Sequence, residues 1–184
     1  MHFSTDCVFD GTRGGYRETD HPNAVDDYGA AKAAGEPVGE HCLVVRSSFV
    51  GFECAPGRSL LEWALSRRGT RVEGYAQARY SGLVAPSLAR VVARVLATTP
   101  ALTGTFHVAS TPLTKYDLLR AMSDALDLRL TVVPVDEPVV DRTLDGRAFT
   151  ARTNIVVPSW DEMMQDLARD ATHHEYRTDI TSQR

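Results

Sequence analysis

Two short segments near the start of the chain carry residue types that can do chemistry together. The first is Ser4-Thr5-Asp6-Cys7-Val8-Phe9-Asp10-Gly11, and the second is Tyr28-Gly29-Ala30-Ala31-Lys32. Residues four apart on a helix share one face, so Tyr28 and Lys32 can point into the same cleft. A phenol titrates near pH ~10, too high for easy proton transfer at neutral pH. A neighbouring ammonium favours the phenolate and brings that value down toward the working range. Thr5 offers a neutral hydroxyl that can hydrogen-bond a substrate carbonyl and hold it against Tyr28. No side chain can deliver a hydride, so a nicotinamide must supply it. The implied reaction is reduction of a ketone, with Tyr28 as general acid. Tyr-x-x-x-Lys alone is a short pattern that arises by chance; the apolar strand and hydroxyl ahead of it give it weight.

These residues need a strand, a turn and a helix to hold them. Residues 3–9 read as a short apolar strand opening into the Asp10-Gly11 turn. Gly11-Thr12-Arg13-Gly14-Gly15 is glycine-rich but runs into an extended Tyr-Arg-Glu-Thr-Asp segment, so it fails the context of a phosphate-cradling loop and reads as a plain loop. No Gly-x-x-Gly-x-x-Gly or Gly-x-Gly-x-x-Gly precedes the Thr5 and Tyr28 segments, because only three residues stand before Ser4. Pro22 and Asn23 introduce a helix over residues 26–35, and Pro37 breaks or kinks the chain beyond it. Residues 43–46 read as a buried, parallel-type strand. Strand, helix, strand in alternation predicts α/β wrapping.

Further along, residues 59–68 form an amphipathic helix pattern with Leu60, Leu61, Trp63, Ala64 and Leu65 on its apolar side. A strand is expected at 71–75. Pro86 opens a helix to residue 96 with Leu88, Val91, Val92 and Val95 inward. Strands are expected at 104–109 and 130–134, around a helix capped by Thr114 and ending near residue 126. Ser159 caps a last helix over 160–169, with Asp161 and Glu162 in its first turn. Residues 171–184 are polar and aperiodic, and disorder is expected there.

The segments FSTDCVFDG, YRETD, YGAAKAAGEP, VVRSSFVGFE, SLLEWALS, VEGYAQARYSGL, GTFHVAS, KYDLL, DRTLDGRAF and PSWDEMM occur in that order. Together they resemble the dTDP-4-dehydrorhamnose reductase group, nucleotide-sugar-modifying members of the extended short-chain dehydrogenase/reductases, from about His2 to Ala168. The resemblance implies the C-terminal half of a Rossmann-like doubly wound sheet interleaved with a small α/β substrate-binding domain. Residues 1–50 would be the residual Rossmann portion, and 51–170 mainly the substrate-binding part, with some segments returning to the sheet. It implies NADPH- or NADH-dependent reduction of a nucleotide-linked 4-keto-6-deoxyhexose, with Thr5, Tyr28 and Lys32 as the catalytic trio. Tyr28 and Lys32 would also bind the cofactor. Thr5, Asp6, Cys7, Phe49 (where many members have Trp) and Arg79 would face the substrate.

The chain departs from the group in one large respect. Members carry roughly 100 further residues upstream, holding the Gly-rich turn of the dinucleotide fold. Cofactor binding is therefore expected to be weak, and the chain reads either as a fragment of a longer protein or as a half whose open strand needs a partner, a second copy or a complementing N-terminal half. Two rival functions stay open: reduction of a UDP-linked N-acetyl-6-deoxyhexosulose, and a non-catalytic regulatory or partner subunit.

Composition narrows the classes further. Net charge is −4 with a pI of about 5.8, so neither nucleic acid nor an anionic membrane is an expected partner. Only Lys32 and Lys115 are lysines among the 20 basic residues. Cys7, Cys42 and Cys54 match no pairing motif and read as free thiols, which with the lack of a signal peptide or spanning apolar run suggests the cytoplasm. No metal site is expected; His173-His174 lack a third ligand nearby and read as a solvated tail. Arg79 is either a bidentate diphosphate ligand or a surface arginine. Arg46 reads as half of a structural ion pair, His107 and both tryptophans as core, and Asp6 as structural.

Overall fold

The computed structural model describes residues 1–53, 57 and 59–173. Ten strands and six helices lie within them. The strands are β1 (His2–Ser4), β2 (Leu43–Arg46), β3 (Phe49–Val50), β4 (Arg71–Tyr75), β5 (Ala78–Tyr80), β6 (Leu83–Val84), β7 (Gly104–His107), β8 (Leu113–Thr114), β9 (Thr131–Val135) and β10 (Val140–Asp141). The helices are α1 (Asp27–Ala34), α2 (Leu60–Ser66), α3 (Ala85–Thr98), α4 (Lys115–Ala125), α5 (Arg147–Thr153) and α6 (Trp160–His173).

The sheet that leads into the Thr5 turn is parallel, in the order β1-β2-β7, with Phe3 opposite Val45 and Val45 opposite Phe106. Parallel strands need both faces covered, which is why β2 reads as an unbroken apolar run ending in a buried Arg46. Three further sheets accompany it: a second three-stranded one, β10-β5-β8, and the two-stranded β3-β6 and β4-β9. The arrangement is mixed α/β, with parallel pairing everywhere among these strands except β5-β8. The main core gathers Leu61, Leu83, Leu118, Met122, Leu128, Phe149, Met163 and Leu167 from helices, strands and their connections. Trp63 and Trp160 pack against it while half-buried, and Trp160 Nε1 donates to the Thr111 carbonyl at 2.7 Å. A second, smaller core of Val8, Phe9, Tyr16 and Leu144 supports the first turn of the site.

Several elements differ from the sequence expectation. The strand expected over 3–9 ends at Ser4, and Asp6–Val8 form a 3₁₀ turn instead. The Thr5 side chain accepts the Cys7 N–H at 3.2 Å, and this local cap competes with a continued ladder. The strand expected to 109 ends at His107. The final helix runs to His173, not 169, because Met163, Leu167 and Ala171 extend one buried stripe at helical spacing. The tail expectation therefore fails for Ala171–His173; for 174–184, His174 included, it lies outside the described residues, as does Cys54. Helix α5 has no counterpart in the sequence reading: it is seven residues long, has no side-chain cap, and buries only Phe149 and Thr153.

Among the described residues no helix is long and apolar enough to cross a membrane, and no group of three or more His, Cys, Asp or Glu could hold a metal ion. Cys7 and Cys42 are free thiols.

Candidate active site

Helix α1 begins where its sequence says it should. Asp26 accepts the Gly29 N–H at 2.7 Å as N-cap, and Tyr28 and Lys32 sit one turn apart beyond it. Gly29 lies against the Thr5–Cys7 turn so closely that a Cβ there would collide with the Cys7 carbonyl oxygen. That contact sets Tyr28, the preceding residue, beside the turn that carries Thr5. Tyr28 is 59% exposed. Lys32 Nζ donates to the Phe3 carbonyl at 2.7 Å, anchoring the ammonium to the strand that leads into Thr5. Turn, tyrosine helix and lysine are thus joined by two direct contacts.

Thr5 is buried and fully engaged. Its Oγ1 accepts from Cys7 N and donates to Asp6 Oδ1, both at 3.2 Å. A hydroxyl has one proton, so Thr5 must turn away from Asp6 before it can donate to a carbonyl. Asp6 is buried and structural in this respect. Cys7 is half-buried; burial, then the Asp6 charge, pushes its thiol up, and Arg142 Nη1 approaches its sulfur at 3.3 Å. Arg142 also reaches Asp26 Oδ2 at 3.2 Å, so β10 and the loop after it are tied to the α1 cap.

Of the remaining substrate-side residues, Phe49 on β3 is 59% exposed and offers an open aromatic face. Arg79 does not stand free. Its Nε is 3.5 Å from Asp141 Oδ2 across the β10-β5 pairing. The glycine-rich segment forms no cradle. Tyr16 N bonds the Thr143 carbonyl, Gly15 N bonds Thr143 Oγ1, and the Gly11 carbonyl accepts from Asp141 N. The N–H groups of Gly11 and Arg13 point to Tyr16 Oη and that of Thr12 to Asp10, so the segment's polar backbone is spent on its immediate neighbours and on β10 and the loop after it.

Beneath the site runs a buried polar network. Arg46 donates bidentately to Glu36, at 2.8 and 2.7 Å, and Ser4 Oγ donates to the same carboxylate at 2.5 Å. Burial opposes ionisation of Glu36, but the guanidinium and hydroxyl outweigh it and hold the carboxyl below its ordinary range. Arg46 is therefore the ion-paired residue the sequence indicated. His107 is fully buried, its Nδ1 is 3.0 Å from the Tyr16 carbonyl, and burial pushes its pKa down. Glu36 received no role from the sequence, although it stands in the quoted YGAAKAAGEP segment directly after the lysine helix. Lys115 was missed likewise, with its rarity as one of two lysines the available signal.

Residues 1–172 match the family described as the RmlD substrate binding domain. A probable low-salt glycan biosynthesis reductase, Agl14 of Haloferax volcanii, is 33% identical over 120 residues, covering 60% of this chain and 39% of that protein. A hypothetical dTDP-4-dehydrorhamnose reductase of Sulfolobus tokodaii superposes with a TM-score of 0.71 at 27% identity, over 87% of this chain and 61% of that one. The dTDP-4-dehydrorhamnose reductase of Bacillus anthracis, solved in complex with NADP, gives a TM-score of 0.77 at 22% identity, over 90% of this chain and 63% of that one. The chain thus spans under two thirds of the length of each of these relatives. With its match running almost end to end, the chain belongs to the RmlD substrate-binding-domain family.

Proposed function

We propose that this chain carries the substrate-binding and proton-transfer part of an NAD(P)H-dependent reductase acting on a nucleotide-linked 4-keto-6-deoxyhexose. The observation that carries the reading is the double attachment of α1, through Gly29 on the Cys7 carbonyl and Lys32 on the Phe3 carbonyl. It sets a Tyr-Lys helix face beside a hydroxyl-bearing turn, which is the arrangement ketone reduction needs.

The residues present fit the nicotinamide end of a dinucleotide. Lys32 spends one of three N–H donors on Phe3, which leaves two for ribose hydroxyls beside Tyr28. They do not fit the pyrophosphate end, since the Gly11–Gly15 segment bonds to β10 and the loop after it and opens no helix. NADPH or NADH, when bound, supplies the hydride that no side chain holds. Thr5 holds the ketone oxygen once its hydroxyl leaves Asp6. Tyr28 gives its phenolic proton to that oxygen as the carbonyl carbon becomes tetrahedral, and the product is a secondary alcohol. Lys32 stabilises the phenolate left behind.

The test is a reaction assay. The chain is joined to the dinucleotide-binding segment of a relative, and NADPH oxidation is monitored with dTDP-4-keto-6-deoxyhexose and with a UDP-linked keto-sugar. Turnover with the dTDP sugar supports the reading. Turnover with the UDP-N-acetyl sugar alone moves the substrate to the rival class. No turnover with either removes the reductase reading.

A further inference from the structure

Arg79, the cation that the sequence offered to the substrate diphosphate, is tied to Asp141. Lys115 is not tied in this way. Its Nζ makes no hydrogen bond or ion pair with any described residue and sits 3.9 Å from the centre of the Tyr80 ring. The ring is itself fixed, 3% exposed, with its hydroxyl toward the Leu83 carbonyl at 3.4 Å. The backbone under Lys115 is equally fixed. Thr114 caps α4 by accepting the Asp117 N–H at 3.0 Å. Gly74 of β4 lets α4 approach so closely that a Cβ there would lie 2.9 Å from the Tyr116 Cα. Here glycine is required by proximity rather than by φ.

Lys115 stands between an open cleft and the buried turn that carries Asp6. Its side chain helps wall a cleft of about 720 Å³ with Trp63, Arg67, Arg71, Glu73 and Tyr75. Its ammonium is near enough to Asp6 and Cys7 for their charges to oppose the pKa depression that burial causes. The cleft wall therefore holds three cations against one carboxylate, and its volume suits a small organic ligand. An ammonium shielded from water without an acceptor is costly, and an anion bound there would offset that cost.

We propose that Lys115 is the residue that binds the diphosphate of the substrate, in place of Arg79. This rests on the nucleotide-sugar reading of the same site. On that reading the ketone sits at Thr5 and Tyr28, and the Lys115 ammonium, within electrostatic range of the neighbouring Asp6 and Cys7, is offered to the diphosphate. Lysine acts there as a point charge with three donors, needing no bidentate geometry.

The experiment is calorimetric titration of the 184-residue chain with dTDP and with UDP, neither of which requires a nicotinamide. Lys115→Met should weaken binding about tenfold or more, the worth of one charge-assisted contact. Lys115→Arg should stay within about threefold, and Arg79→Met within about twofold, of the parent chain. If Lys115→Met does not fold, Lys115→Gln replaces it and the same loss is expected. Unchanged affinity on losing the Lys115 charge overturns the proposal while leaving the nucleotide-sugar reading in place. So does a loss of about tenfold confined to Arg79→Met. Failure of the parent chain to bind either nucleotide at millimolar concentration overturns both.

Discussion

Gly29 of α1 rests directly on the carbonyl of Cys7, with no room for a side chain between helix and turn. The helix that presents Tyr28 and the turn that presents Thr5 are therefore held at backbone contact. Gly29→Ala would raise helix propensity, which taken alone is stabilising. The steric cost is larger, because a carbonyl cannot move aside as a flexible side chain can. We expect Gly29→Ala to lower unfolding free energy by about 1–3 kcal/mol, the usual range for overpacking. Urea denaturation monitored by circular dichroism measures it. A midpoint equal to or above the parent's would contradict the close approach.

The Glu36–Arg46 pair gives a second prediction. Both side chains are nearly buried, 11% and 6% exposed, so removing one leaves an uncompensated charge away from water. Glu36→Gln should cost about 3–5 kcal/mol, whereas the double change to Met at 36 and 46 should recover much of that loss. A cost below about 1 kcal/mol for Glu36→Gln would show that solvent reaches Arg46.

Stability should also fall with acid, and the direction of the shifts sets the sign. Glu36 lies below its ordinary value, and Arg147 with its neighbours holds Asp145 at about 2. A carboxyl depressed in the folded state adds stability above its unfolded pKa of about 4 and loses it as pH falls toward the folded value. Buried His107 acts in the same sense at higher pH. Its folded pKa is depressed, so the unfolded chain binds the proton first as pH drops below about 6.5. Denaturant midpoints should therefore decline from about pH 7 to 5, and further from about pH 5 to 3. A flat profile over both windows would contradict the buried network.

Much of this was legible in the residues. Thr114 and Ser159 cap the helices that the sequence placed after them, since a short polar side chain before an apolar period is a local signal, and Asp26 and Ser59, read as the first residues of their helices, are caps as well. The Tyr28–Lys32 pair was legible for the same reason: both members lie on one helix. The break after Ser4 was not, because Thr5 could continue the strand or bond back to Cys7 N, and an apolar Val8-Phe9 fits either outcome. Nor was the fate of Arg79 legible. Its partner Asp141 lies far along the chain and arrives through the parallel β10-β5 pairing. Helix α5 escaped notice because its apolar positions are too few to set a period.

Cofactor affinity depends on the same geometry. On the proposed reading Tyr28 and Lys32 face the nicotinamide end, and among the described residues no glycine turn opens a helix to a pyrophosphate. Residues 1–184 alone should bind NADPH with a dissociation constant of about 1 mM or weaker, about 4 kcal/mol at most. Micromolar binding in a calorimetric titration would mean that Gly11–Gly15 rearranges into a phosphate site.

In the proposed reaction Tyr28 is the proton donor. This role is tested most directly by Tyr28→Phe in the chain joined to a dinucleotide-binding segment, with turnover of the keto-sugar measured at saturating substrate. The variant keeps the ring and loses only the hydroxyl. Turnover should fall by about 10²–10⁴-fold with substrate affinity nearly unchanged, the contribution of a positioned general acid. An unchanged turnover number would remove Tyr28 from the chemistry and with it the reading of this site.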